Sequence, residues 1–177
     1  MRSILRDTLL SATLCLIITC KQHNMKHETK ALPEFKIIGI SVRTTNQGGQ
    51  SQKDIGQLFQ KFMGQNIMAQ IPNKDGNEVY CMYTDYDSDA NGPYTTILGC
   101  KVRSLDSIPA GFAGKTVPAT TYNEYTSTGK LPDCVVNTWI QIYRSDIKRK
   151  YSADFEVYGA KSQNPANAEV ETYVSVK

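Results

Sequence analysis

Histidine is scarce in this chain. The 177 residues contain two, His23 and His27, and both precede the first segment with an apolar period. A Ser-His-Asp or Cys-His relay needs an imidazole held beside its nucleophile, and nothing further along the chain supplies one. Two histidines four apart could grip a metal on a helix, but their segment has neither helical periodicity nor other ligands. Cysteine is almost as uninformative: none of the five forms a CxxC pair, so no zinc or dithiol motif is present. Neither a metal nor a cofactor is therefore expected. No apolar run approaches the roughly 20 residues of a membrane-spanning helix. Charge of one sign is also scarce, because a formal net charge of +3 is too dispersed to hold nucleic acid. The tightest basic cluster, Lys148-Arg149-Lys150, is expected to be the solvated end of a helix, where positive charge suits the dipole.

What remains is an ordinary soluble composition, 40% hydrophobic and 21% charged, with room for one domain or one domain built from two similar halves. Tyrosine is the exception, with ten against one tryptophan and five phenylalanines. Its flat apolar body and polar tip suit binding surfaces as well as strands. The N-terminus has the pattern of a processing segment. Arg2 and Arg6 precede an apolar stretch from Thr8 to Thr19 that ends at Cys20. Leu16-Ile17-Ile18-Thr19-Cys20 resembles the lipobox of bacterial lipoproteins, although Ile17 and Thr19 depart from the usual choices and Asp7 weakens the basic region. Residues 1–20 are thus expected to be a signal peptide with lipidation at Cys20, ordinary secretion being the next alternative and an uncleaved anchor the last. Residues 21–32 read as a flexible tether, and the product would reside in the cell envelope, lipid-anchored or secreted. Cys81, Cys100 and Cys134 then remain as buried free thiols, with one disulfide open in an oxidising compartment.

From Pro33 the chain reads strand, helix, strand, strand, and then repeats. The first round predicts strand Glu34–Arg43, helix Gln52–Asn66 capped by Ser51 and Asp54, and strands Glu78–Asp85 and Tyr94–Ser104. The second predicts strand Phe112–Thr126, with Pro118 marking an edge or bulge, then helix Pro132–Lys148 and strands Asp154–Gly159 and Glu169–Val176. Val135, Val136, Trp139, Ile140 and Tyr143 are the expected buried stripe of the second helix. The repeat places Glu156 near the position of Tyr80 in the first round. The fold class is accordingly α+β. A duplicated β-α-β-β unit forms one antiparallel sheet with two helices on one face and a ligand cleft at the pseudo-twofold interface. The halves run over 33–106 and 107–177.

Within Ala153–Gly159, Phe155 and Val157 alternate with Glu156 and Tyr158. A carboxylate in the middle of such a strand either sits in water or is paired, protonated or kept for a ligand.

The segments Tyr94–Val102, Ile108–Phe112, Thr116–Tyr122, Val136–Ile140, Asp154–Tyr158 and Val170–Val174 together resemble the GyrI-like, or AraC-type, effector-binding domain. The resemblance implies an aromatic small-molecule pocket at the pseudo-twofold, with Glu156 as charge partner of a hydrophobic or cationic aromatic ligand. It places Tyr173 and Trp139 at that pocket, with Trp139 lining or packing; strand alternation adds Tyr83, Tyr158 and Tyr80. Glu171 shares a strand face with Tyr173 and would lie at the rim. Ser175 replaces the proline that usually ends the family's last strand. No helix-turn-helix precedes the domain in this sequence, so nucleic acid is not an expected partner. The expected function is capture of a small molecule. One alternative is hydrolysis of strained cyclopropanoid electrophiles by Glu156. The other is inhibition of a protein partner.

Overall fold

The computed structural model describes residues 25–177. The signal segment, Cys20 and the start of the tether lie outside the described residues. In chain order the elements are β1 (Glu28–Leu32), β2 (Phe35–Thr44), α1 (Gln50–Gly64), a one-turn α2 (Ile67–Gln70), β3 (Val79–Thr84) and β4 (Tyr94–Val102). The second round follows as β5 (Ala113–Val117), β6 (Thr120–Gly129), α3 (Asp133–Arg144), β7 (Ala153–Tyr158) and β8 (Ala168–Ser175). The strands make one eight-stranded sheet in the order β1-β6-β8-β7-β3-β4-β2-β5. Every pairing is antiparallel. β7 and β3 meet at its centre, one from each half, so the local twofold passes between them.

Two expectations about the strands change. Residues 28–32 are not part of a tether but form β1, an edge strand paired with β6. Its sequence looks solvated because an edge strand has an open flank; Lys30 is ion-paired with Glu124 across the ladder. The strand expected over Phe112–Thr126 is two strands, since Pro118 has no N–H with which to continue a ladder. β5 pairs with β2, whereas β6 pairs with β1 and β8. Each half therefore gives its leading short strand to the other half. Leu32 and Phe35 are three peptide units apart, at most about 11 Å, yet they lie towards opposite edges of the sheet. This crossing at Pro33, matched by the one at Pro118, draws the edges together and curls the sheet.

The curl separates the cores packed on the two faces of the sheet. Ile38, Ile40, Cys81, Leu98 and Cys100 pack beneath α1 through Leu58 and Phe62. On the opposite face Ile37, Met82, Ile97, Val117, Tyr122 and Phe155 fill the hollow of the sheet. Helix α3 buries a face that only partly matches the expected one, Val135 being the shared residue. In α3 the sheet takes Val135, Thr138 and Ile142, while Val136, Ile140 and Tyr143 are 42%, 39% and 50% exposed. The apolar stripe was real but its centre lies about one position round the helix. At the start of α1, Gly49 is the cap in a left-handed conformation (φ 74°). Ser51 and Asp54 lie inside the helix, and Asp54 accepts a hydrogen bond from the Thr44 hydroxyl at 2.7 Å.

Arg149 is a further correction. It is only 6% exposed, and its Nη2 donates to Asp154 Oδ2 at 2.5 Å. Its guanidinium also lies 4.4 Å from the centroid of the Tyr151 ring. α3 ends at Arg144 rather than Lys148, which frees the following loop to fold Arg149 inward. Cys81, Cys100 and Cys134 are free thiols.

Candidate ligand-binding site

The site is built on the central strand pair. Register places Cys81 of β3 opposite Glu156 of β7, and period-2 alternation puts Tyr83 and Tyr158 on the same face as both. That face looks toward the helices. An axis through the Cys81–Glu156 pair carries Tyr83 onto Tyr158, so the residue equivalent to Glu156 is Cys81 rather than Tyr80. The helices obey the same symmetry. Phe59 of α1 stands edge-on to Tyr158 at 5.6 Å, and Trp139 of α3 stands edge-on to Tyr83 at 5.4 Å. Four aromatic walls are thus two equivalent pairs, and the one strong asymmetry at their centre is a carboxyl group facing a thiol.

Glu156 is 2% exposed. The Tyr83 hydroxyl and Trp139 Nε1–H donate to Oε1 at 2.7 and 2.6 Å, and the Tyr158 hydroxyl donates to Oε2 at 2.6 Å. Among the described residues no cation pairs with it. Burial raises its pKa above the ordinary carboxylate value, and the three donors recover only part of that cost. Burial likewise pushes the Tyr83 and Tyr158 hydroxyls and the Cys81 thiol upward. Tyr83 and Tyr158 thus remain donors, and Cys81 is no nucleophile at neutral pH. The Cys81 thiol hydrogen-bonds to the Tyr83 hydroxyl at 3.4 Å.

Four of the six predicted ligand residues, Glu156, Trp139, Tyr83 and Tyr158, meet in this cage. Tyr80 and Tyr173 do not. They alternate to the opposite face, where Tyr173 stacks on Phe155 at 4.8 Å and Tyr80 lies 5.9 Å from the same ring. Sequence reading missed Phe59 as a wall and Cys81 as the partner position. The spacing that relates Phe59 to Trp139 also relates Leu58 to Thr138 and Phe62 to Ile142, a helix-to-helix signal that would have found it. Arg149 was also missed at the margin of the cage, with its guanidinium 5.5 Å from the Trp139 ring centroid. Among the described residues no group of three His, Cys, Asp or Glu could hold a metal.

A curled antiparallel sheet of two β-α-β-β units, with an acidic aromatic cage on its axis, defines a small-molecule effector-binding domain. A family model described as "Cass2: Integron-associated effector binding protein" matches residues 28–176, and the chain belongs to that family. The match begins at β1, in keeping with that strand being part of the domain. The protein YobU of Bacillus subtilis (strain 168) is 27% identical over 147 residues, covering 80% of this chain and 92% of its own. An integron cassette protein from the mobile metagenome of Vibrio cholerae superposes with a TM-score of 0.68 at 27% identity, covering 85% of this chain and 95% of the other. SAV2435, solved bound to tetraphenylphosphonium, has the same fold with a TM-score of 0.68 at 18% identity, covering 86% of this chain and 94% of the other.

Proposed function

We propose that this protein captures a hydrophobic organic cation between α1 and α3, with Glu156 as its charge partner. The observation that carries the reading is a carboxyl group 2% exposed, held by three neutral donors and paired with no cation among the described residues. Such a group is costly to keep charged, and a bound cation would repay that cost. The aromatic rings around it attract a delocalised cation by roughly 0.5–2 kcal/mol each, and they demand no exact hydrogen-bond geometry. Entry requires the cage to open. Trp139 and Tyr158 are hydrogen-bonded to Glu156 and must yield for a ligand to reach it, and Val136, Ile140 and Tyr143 are exposed apolar residues on the same helix as Trp139. A lipophilic cation can rest its apolar groups on that lip as it enters. The tetraphenylphosphonium found on a protein of the same fold belongs to this ligand class.

The test is titration with tetraphenylphosphonium, followed by the emission of Trp139, the single tryptophan of the chain. Its indole donates directly to Glu156, so occupancy of the cage alters its surroundings. Glu156→Gln should weaken binding by at least about tenfold, since it removes one partner of a desolvated charge pair. Equal affinity in that variant would reject the charge-pairing role.

A second reading rests on the raised pKa of Glu156 beside two tyrosine hydroxyls, an arrangement able to move a proton at an electrophile. Consumption of a strained electrophile in the same titrations would favour it. The working location under our proposal is the cell envelope, reached through the leader and an acyl group on Cys20. Mass measurement of the mature N-terminus tests that directly.

A further inference from the structure

Among the described residues nothing covers the outer face of α3. Val136, Ile140 and Tyr143 recur at the spacing of one helix face, and all three are exposed. The duplication does not require them. The spacing that relates Phe59 to Trp139 also relates Gly56, Gln60 and Met63 of α1 to Val136, Ile140 and Tyr143 of α3. At those positions α1 has no branched or aromatic side chain. It still packs on the sheet through Leu58 and Phe62 and supplies Phe59 to the cage. A helix can therefore serve the site without this stripe, which belongs to the second half alone.

The chain that precedes the domain arrives at the end of the same helix. Met25 and Ile147 pack on Tyr125, Ile142 and Val174. Met25 also shares a cleft with Ser145 and Asp146, which directly follow α3. Five Cα steps separate Cys20 from Met25, at most about 18 Å of extended chain. The stripe is itself about 10 Å long from Val136 to Tyr143. An acyl group on Cys20 would thus keep a bilayer within reach of α3. The surface there is basic. Lys26, beside Met25, is exposed, as are Arg144, Lys148 and Lys150 in and after the last turn of α3. Among the described residues none of these four forms an ion pair, and the neighbouring acids Glu28 and Asp146 offset only part of their charge. Basic side chains beside an apolar stripe fit an anionic lipid surface, where phosphates take the charge and the stripe enters the headgroup boundary. Tyrosine suits that depth, with its apolar ring and polar tip. Among the described residues no helix is long and apolar enough to cross a membrane, so α3 would lie along the surface.

We propose that Val136, Ile140 and Tyr143 form a membrane-docking face, seated in the headgroup region of an anionic bilayer with Arg144 and Lys148 at its edge. The inference rests on the envelope location proposed above. Docking sets the outer wall of the cage against lipid, so an apolar guest reaches it from the bilayer rather than through water.

Quenching of Trp139, the single tryptophan of the chain and the neighbour of Ile140, tests the assignment. The chain as the cell processes it is reconstituted into vesicles of phosphatidylglycerol and phosphatidylcholine, the latter brominated on its acyl chains near the headgroup. Bromine quenches an indole only at short range, so a tethered domain held off the bilayer keeps its emission. The wild type should lose at least about half of its emission relative to unbrominated vesicles. Val136→Ser with Ile140→Ser, and separately Ile140→Asp, should each recover most of it; both positions are exposed, so the fold is kept. Full emission in the wild type overturns the inference, as does equal quenching in the variants, which would bring another face to the lipid. Mass measurement of the same sample keeps the location separate. An acylated Cys20 with full emission defeats docking and leaves the envelope location standing, whereas quenching without the acyl group supports the face and defeats the anchor. Concentration-dependent pairing in solution that the variants abolish, with no quenching on vesicles, would give the stripe to a second copy and overturn docking.

Discussion

Glu156 has three neutral donors within 2.7 Å, and burial still holds its pKa above the ordinary value. Folding therefore favours the protonated form more than the unfolded chain does. The stability this contributes is complete below the ordinary carboxylate range and is lost as pH rises through the raised folded value. Thermal melts from about pH 4 to about pH 8 should show the wild type losing stability with rising pH relative to Glu156→Gln, which has no proton to release. Parallel curves for the two proteins would contradict that. Gln can occupy the site because its carbonyl accepts from Tyr83 and Trp139, and the Tyr158 hydroxyl can turn to accept from the amide. The same linkage makes binding of a permanent cation tighten across that pH interval, since the ligand selects the ionised carboxylate.

At the scale of elements, α3 shows why an apolar stripe and a buried stripe are different things. Val135, Val136, Trp139, Ile140 and Tyr143 have the period of one helix face, and from sequence that face looks destined for the core. Of these the sheet takes Val135 together with Thr138 and Ile142, and Thr138 can join that face because its hydroxyl is satisfied by Ser127 at 2.7 Å and Cys134 O at 3.1 Å. A polar residue with internal partners is invisible to a hydrophobic pattern. Ile142→Ala should cost about 2–5 kcal/mol through loss of buried area and the cavity left behind. Ile140→Ser, at the exposed lip, should stay within roughly 0.5 kcal/mol in stability. Urea midpoints of the two variants measure this; similar losses would place the core face where the sequence pattern first put it. The strands were more legible, since β2, β3, β4, β7 and β8 lie within a residue or two of their expected limits. β1 was not, because an edge strand with three charged or polar residues in Glu28–Leu32 carries its hydrogen bonds in the backbone and leaves no side-chain record. Tyr80, expected from alternation, and Tyr173, placed by the resemblance, sit on the opposite face of the sheet from Glu156. Alternation fixes which residues of one strand share a face, but the face itself is settled only by register with Glu156 across β3, β7 and β8.

For the whole molecule, duplication explains both the site's shape and its polarity. The walls come in equivalent pairs, Tyr83 with Tyr158 and Phe59 with Trp139, while the pair on the axis is Cys81 and Glu156. If recognition comes from a symmetric aromatic cage with a single charge at its centre, the charge should be transferable across the axis. Facing residues in such a ladder have their Cα atoms about 4.5–5.5 Å apart, a small step against the width of a polycyclic cation. Glu156→Cys alone should lose tetraphenylphosphonium binding by at least about tenfold. Adding Cys81→Glu should restore most of it, because the moved carboxylate still meets the Tyr83 and Tyr158 hydroxyls at the twofold. Recovery will be incomplete, since Phe59 cannot donate the hydrogen bond that Trp139 gives to Glu156, so the moved charge is less well satisfied. Calorimetry on the single and double variants reads the difference. A double variant as weak as Glu156→Cys would mean that Trp139 Nε1, on one side only, is what makes the carboxylate usable, and that the second half of the duplication alone carries the site.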